Sequence, residues 1–295
     1  MKMKNYLILI IVLIALNIKA QEQKFYYNNT DYITFIKKGN GSTDLVYLHG
    51  FGISKSSWDD FYPLFDTTKY TSYLIDLKGF GNSSIPKDNK YSLNEHKKIL
   101  IKFIDSIITQ NYYLIGHSYG GGVALLLTTS KKLINKPKLL ILMDCAAYNI
   151  DTPFFLKYLQ KSFLNNTIYV FSTPKMRAKF ILKKAVNKEN YTKKILNRYT
   201  ESFKGKRKKY SFTKSAQQIT PDNYKQIIAD YSKIKIPVLI IWGKQDMILS
   251  VKQGELLSTQ IKNSELKIID NCGHIPQEEK PIITYEIVKT FINNP

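Results

Sequence analysis

The 295-residue chain is long enough for one large α/β domain with an insertion, or for two small domains, and its 44% hydrophobic share supports a sizeable core. Its 44 Lys and Arg against 23 Asp and Glu give a net +21, a charge that suits nucleic acid, an anionic membrane surface or an acidic substrate. The many Lys, Asn, Ile and Tyr read instead as a lysine-biased composition, so no nucleic-acid partner is expected, and two cysteines with four scattered histidines exclude a metal-ligand cluster.

The chain opens MKMKNYLILIIVLIALNIKAQ, in which Lys2 and Lys4 precede an apolar run over 7–16. That run falls short of the about 20 apolar residues a membrane-spanning helix needs. Ile18 and Ala20 ahead of Gln21 fit a small-residue cleavage pattern. Residues 1–20 therefore read as a secretory signal peptide that exports the chain, periplasmic or secreted; an uncleaved N-terminal anchor is the alternative. No cysteine stands at the cleavage site to take a lipid.

Seven short apolar runs follow, at 31–39, 44–50, 72–79, 112–118, 138–145, 237–246 and 265–271. Several are continuous rather than alternating, which suits strands buried on both faces. Helix-period segments at 92–108, 121–133, 251–261 and 281–292 lie between or after them. This order predicts an α/β fold: a mostly parallel central sheet with helices on both faces. In the second helix-period segment's predecessor, at 92–108, His96 beside Lys97 and Lys98 reads as part of a solvated face.

From 151 to 232 the alternation stops and only helical pieces are legible. Asp151 or Thr152 with Pro153, Ser172 and Thr173 with Pro174, and Thr220 with Pro221 are three helix-start signals. The expected organisation is a core over 21–150 and 233–295 with an inserted helical cap over 151–232. Residues 151–220 hold 17 Lys and Arg and three Asp and Glu, a net +14.

The chemistry-bearing residues sit at the ends of the strand runs. Gly116-His117-Ser118-Tyr119-Gly120 follows a strand and precedes a helix, the context in which a G-x-S-x-G turn presents a serine nucleophile. A serine hydroxyl needs a base, and that base needs an orienting group. Of the four histidines, His274 lies in a loop just past the last strand run. The acid is expected between serine and histidine in the chain. Asp246 ends the sixth run in WGKQD and is favoured, with Asp144, at the end of the fifth, as the alternative. The HGFG turn at 49–52 and the residue after the nucleophile suggest backbone N–H donors at Phe51 and Tyr119 for an oxyanion.

Together HGFG at 49–52, DLKGFGNSS at 76–84, GHSYGG at 116–121, WGKQD at 242–246 and NCGHIPQEEKP at 271–281 resemble the α/β-hydrolase fold family. The resemblance spans roughly 31–294 and is least specific in the cap. It implies a serine hydrolase acting on a carboxylic ester through Ser118, His274 and Asp246, with no metal and no cofactor. A serine at 118 argues against epoxide opening and dehalogenation, for which members use an aspartate nucleophile. In the family's layout Cys145 and Cys272 stand two strands apart, beyond a disulfide's reach, so free thiols are expected.

Two other readings stay open. The same triad could act on a C–C, amide or thioester bond, or transfer an acyl group. In a reading of another class the chain is a binder, docking the basic run FKGKRKKY at 203–210 on anionic lipid headgroups or a polyanion. The plain alternative for that run is a solvated lysine-rich face.

Overall fold

A computed structural model of the chain describes residues 21–148, 154–161, 167 and 169–295. The signal-peptide reading of 1–20 and the helix-start signal at 151–153 lie outside these residues.

Eight strands form one sheet: β1 (Gln23–Tyr26), β2 (Tyr32–Lys38), β3 (Thr43–Leu48), β4 (Tyr70–Asp76), β5 (Asn111–His117), β6 (Leu139–Met143), β7 (Val238–Gly243) and β8 (Ser264–Ile269). Their order is β1-β2-β4-β3-β5-β6-β7-β8. The β1–β2 and β2–β4 pairs are antiparallel and every other pair is parallel. Seven of the strands match the apolar runs. β1 adds an eighth, short and mostly exposed, that the sequence pattern does not announce.

The continuous apolar runs have the expected cause. Along β3, Val46 and Leu48 face one buried layer while Leu45 and Tyr47 face the other. The first layer holds α1 (Leu93–Ile107), α2 (Tyr119–Thr128) and α8 (Val251–Gln260); the second holds Trp58, Phe61, Phe65 and α10 (Pro281–Asn293). Both sides of each central strand are thus removed from water, which is why these strands cannot alternate polar and apolar residues.

Between β6 and β7 the described residues are helical: α3 (Phe154–Gln160), α4 (Pro174–Ala185), α5 (Lys193–Ser202), α6 (Lys206–Gln217) and α7 (Tyr224–Asp230). Thr173 caps α4, accepting from the Met176 amide at 3.2 Å, with Pro174 in its first turn. The signal at Thr220 and Pro221 is displaced: α7 begins at Tyr224. The inward faces of these helices, through Leu182, Tyr199, Phe203 and Phe212, join the same buried layer as α1 and α2.

His96 departs from expectation. It is buried, with burial driving its imidazole down to about 3. It stands three residues from both Leu93 and Ile99, on the face of α1 that meets Phe80 and Tyr119. Helical spacing decides its place, and its lysine neighbours point elsewhere.

Candidate active site

Ser118 sits between β5 and α2 with φ 49° and ψ −116°, a backbone conformation rare for a residue with a side chain. Two close approaches enforce the turn. A Cβ on Gly120 would lie 2.3 Å from the Leu48 carbonyl oxygen, and one on Gly50 would lie 2.7 Å from the His117 ring. Only glycines let the elbow and the 49–52 turn press together. The elbow then holds itself: Ser118 donates its amide to the Met143 carbonyl at 2.9 Å, and its own carbonyl accepts from Gly122 and Ala146.

Three side chains from distant parts of the chain meet there. The Ser118 hydroxyl lies 2.9 Å from His274 Nε2, and His274 Nδ1 lies 2.7 Å from Asp246 Oδ2. The second Asp246 oxygen accepts the amides of Ile248 at 2.7 Å and Leu249 at 3.0 Å. Asp246 follows β7 in a turn, and His274 follows β8, so the parallel sheet delivers both to the end of β5 where Ser118 stands.

Asp144 is close by and differently placed. It directly follows β6 with φ 43°, is fully buried, and accepts the Gly243 amide at 3.0 Å through Oδ1. Ligand atoms of Asp144, Asp246 and His274 lie within 4.8 Å of one another. Burial, and then the charge of Asp246, hold the Asp144 carboxyl well above the usual range, so it stands as a neutral acid. Nδ1 of His274 is bonded to Asp246 within this trio.

Phe51 and Tyr119, whose amides are the expected oxyanion donors, line one cavity with Ser118 and His274. Their rings meet edge to face with centroids 6.0 Å apart. The cavity is about 110 Å³ and is walled by apolar side chains such as Leu126, Ile181, Ile227, Ile228 and Leu249. Among the described residues, no Asp, Glu, Lys or Arg lines it.

Two supports have no signal in the motifs. His117, beside the nucleophile, donates from Nε2 to the His274 carbonyl at 2.7 Å; burial holds it neutral, well below its usual range. Glu279 accepts the amides of Gly273 at 3.0 Å and Asn187 at 2.8 Å, while the His274 amide donates to the Ala185 carbonyl at 2.6 Å. The loop carrying the imidazole is therefore fixed both to the elbow and to the end of α4. The sequence shows acidic residues four and five positions past the candidate histidine, but not what they hold.

Cys145 and Cys272 are both buried free thiols, as the two-strand separation implies. The basic run at 203–210 is less solvated than its composition suggests. Lys208 donates to the Gly81 carbonyl, the Lys209 ammonium lies 5.6 Å from the Tyr169 ring centre, and Lys204 pairs with Glu201 at 2.6 Å.

Known proteins place this arrangement. Residues 45–281 match the family model described as the alpha/beta hydrolase fold. Lipase 3 of Moraxella sp. (strain TA144) is 26% identical over 276 residues, 92% of this chain and 82% of that protein. The monoacylglycerol lipase ABHD6 of Mus musculus is 24% identical over 282 residues, 90% of this chain and 81% of its own length. An alpha/beta hydrolase fold protein from Burkholderia ambifaria superposes with a TM-score of 0.79 at 20% identity, covering 90% of this chain and 96% of that one. With the family match spanning most of its length, this chain belongs to the alpha/beta hydrolase fold family and is a hydrolase.

Proposed function

We propose that the protein cleaves neutral, lipophilic carboxylic esters through an acyl-enzyme formed on Ser118. The observation that carries this is the unbroken Asp246–His274–Ser118 chain of hydrogen bonds opening onto a cavity whose described lining residues include no Asp, Glu, Lys or Arg. In this reading the imidazole takes the hydroxyl proton as Ser118 Oγ attacks the ester carbonyl. Asp246 holds the Nδ1–H tautomer and stabilises the imidazolium. The Phe51 and Tyr119 amides receive the oxyanion. The imidazolium protonates the departing alcohol, and water, deprotonated by the same imidazole, releases the acid.

An apolar wall favours an acyl chain over a charged substrate, because a carboxylate bound there would lose water and meet no cation among the described lining residues. Relatives named as lipases point to the ester bond rather than C–C, amide or thioester cleavage or acyl transfer. The helices between β6 and β7 act as the cap that shapes this cavity, and residues 1–20 serve export.

A fluorophosphonate should label Ser118, and Ser118→Ala should lower hydrolysis of p-nitrophenyl esters about 10⁵- to 10⁶-fold with an unchanged melting temperature. Label mapped to another residue, or full activity in the variant, overturns the assignment.

A further inference from the structure

Exposed apolar side chains of the helical insertion line a second cavity, of about 370 Å³. Tyr158, Met176 and Phe180 line it and are roughly half exposed. Val170 and Phe171 directly follow Tyr169, another lining residue, and are 73% and 78% exposed. Soluble chains rarely leave such side chains together in water unless the surface meets something. Ile181 lines both this cavity and the one that holds Ser118, so the two share a wall.

The charge around the cavity narrows what it meets. Residues 154–188 contain eight Lys and Arg and no Asp or Glu. Lys157, Lys161, Lys175, Lys179 and Lys183 are exposed. A purely polyanionic partner would use the lysines and gain nothing from Val170, Met176 or Phe180. A neutral apolar partner would leave the lysines idle. An anionic phospholipid bilayer uses both: apolar side chains enter the boundary between headgroups and acyl chains, and lysines meet the phosphates.

We propose that the face formed by Val170, Phe171 and α4 docks the protein on an anionic phospholipid bilayer. In the neighbouring basic run at 203–210, Lys208 and Lys209 are engaged within the fold, so the exposed lysines of α3 and α4 carry most of this contact. Docking here sets the apolar cavity, and Ile181 behind it, against the lipid. The surface is independent of which bond Ser118 attacks.

The test places a tryptophan at the face of the full-length chain. Native Trp58 and Trp242 are fully buried and give a constant background. In Phe171→Trp, vesicles of phosphatidylcholine and phosphatidylglycerol with brominated acyl chains should blue-shift and quench the new emission. Adding Lys175→Gln, Lys179→Gln and Lys183→Gln should raise the lipid needed for half-maximal quenching about 100-fold. Val170→Trp should report the same, and Tyr26→Trp, exposed on β1, should stay unquenched. A tryptophan at 171 that vesicle-bound protein leaves unquenched overturns the proposal. So does quenching that ignores the lysines, quenching at 26 as strong as at 171, or an RNA that shifts the emission as far as vesicles do.

Discussion

Asp144 and Asp246 show how two like residues are separated by surroundings. Both follow parallel strands of the same sheet, and both lie near His274. Two buried carboxylates so close cannot both carry charge. Asp246 accepts two backbone amides and bonds the imidazole. Asp144 accepts one backbone amide, and burial beside Asp246 gives it the neutral role. Asp246→Asn should therefore reduce kcat/KM for an ester by about 10⁴-fold, because an amide cannot hold the required tautomer. Asp144→Asn should stay within about tenfold, since a neutral amide replaces a neutral acid. Steady-state kinetics on the pair decides it; the reverse ranking would make Asp144 the working acid. Ser118, His274 and Asp246 were legible in the sequence because each follows a recognisable strand and the first sits among obligatory glycines. The role of His117 was not. Its partner is the carbonyl of a residue 157 positions away, and a backbone acceptor leaves no trace in side-chain identity.

At the scale of elements, what joins the insertion to the core is a set of buried charges on α5 and on α9 (Pro276–Glu279). Arg198 NH1 lies 2.7 Å from Asp60 Oδ2 and 3.1 Å from Glu278 Oε2. One cation thus faces two carboxyls. Bonds from Arg198 and Lys194 outweigh burial and hold Asp60 below its usual range. Burial, with Asp60 and Asp59 nearby, raises Glu278 to about 8 against the attraction of Arg198. A carboxyl raised on folding binds its proton more tightly in the native state. Its contribution to stability is complete below the unfolded value near 4.5 and is lost as pH climbs through about 8. The melting temperature should fall across that window, and Glu278→Gln, which keeps an acceptor for Arg198, should flatten the fall. A variant profile parallel to the wild type would contradict the assignment. None of this network could be read from sequence, because Asp60, Arg198 and Glu278 belong to segments with no motif in common. The strands could be read, since burial on two faces demands long apolar runs. β1 could not: four mostly exposed residues carry no burial pattern to see.

At the scale of the molecule, the sheet is a wall between two buried layers, and each layer holds one thiol. Cys145 packs with the layer of α1, α2 and the insertion, and Cys272 with the layer of α10. Burial pushes both thiols up, so thiolate is scarce in the native state. Reaction with a thiol reagent then requires an opening that exposes the sulfur, and the size of that opening is readable from its denaturant dependence. Cys272 lies in the loop that Glu279 and Ala185 tie to the insertion, whereas Cys145 stands against Gly121 at the elbow. If the sheet and its two layers come apart as one cooperative unit, both cysteines should label at the same rate, with a denaturant slope equal to that of global unfolding. Mass spectrometry of the labelled peptides measures the two rates separately. Faster labelling of Cys272 with a shallow slope would mean instead that the insertion lifts on its own and frees the His274 loop, breaking and remaking the Ser118–His274–Asp246 chain of hydrogen bonds without unfolding the sheet.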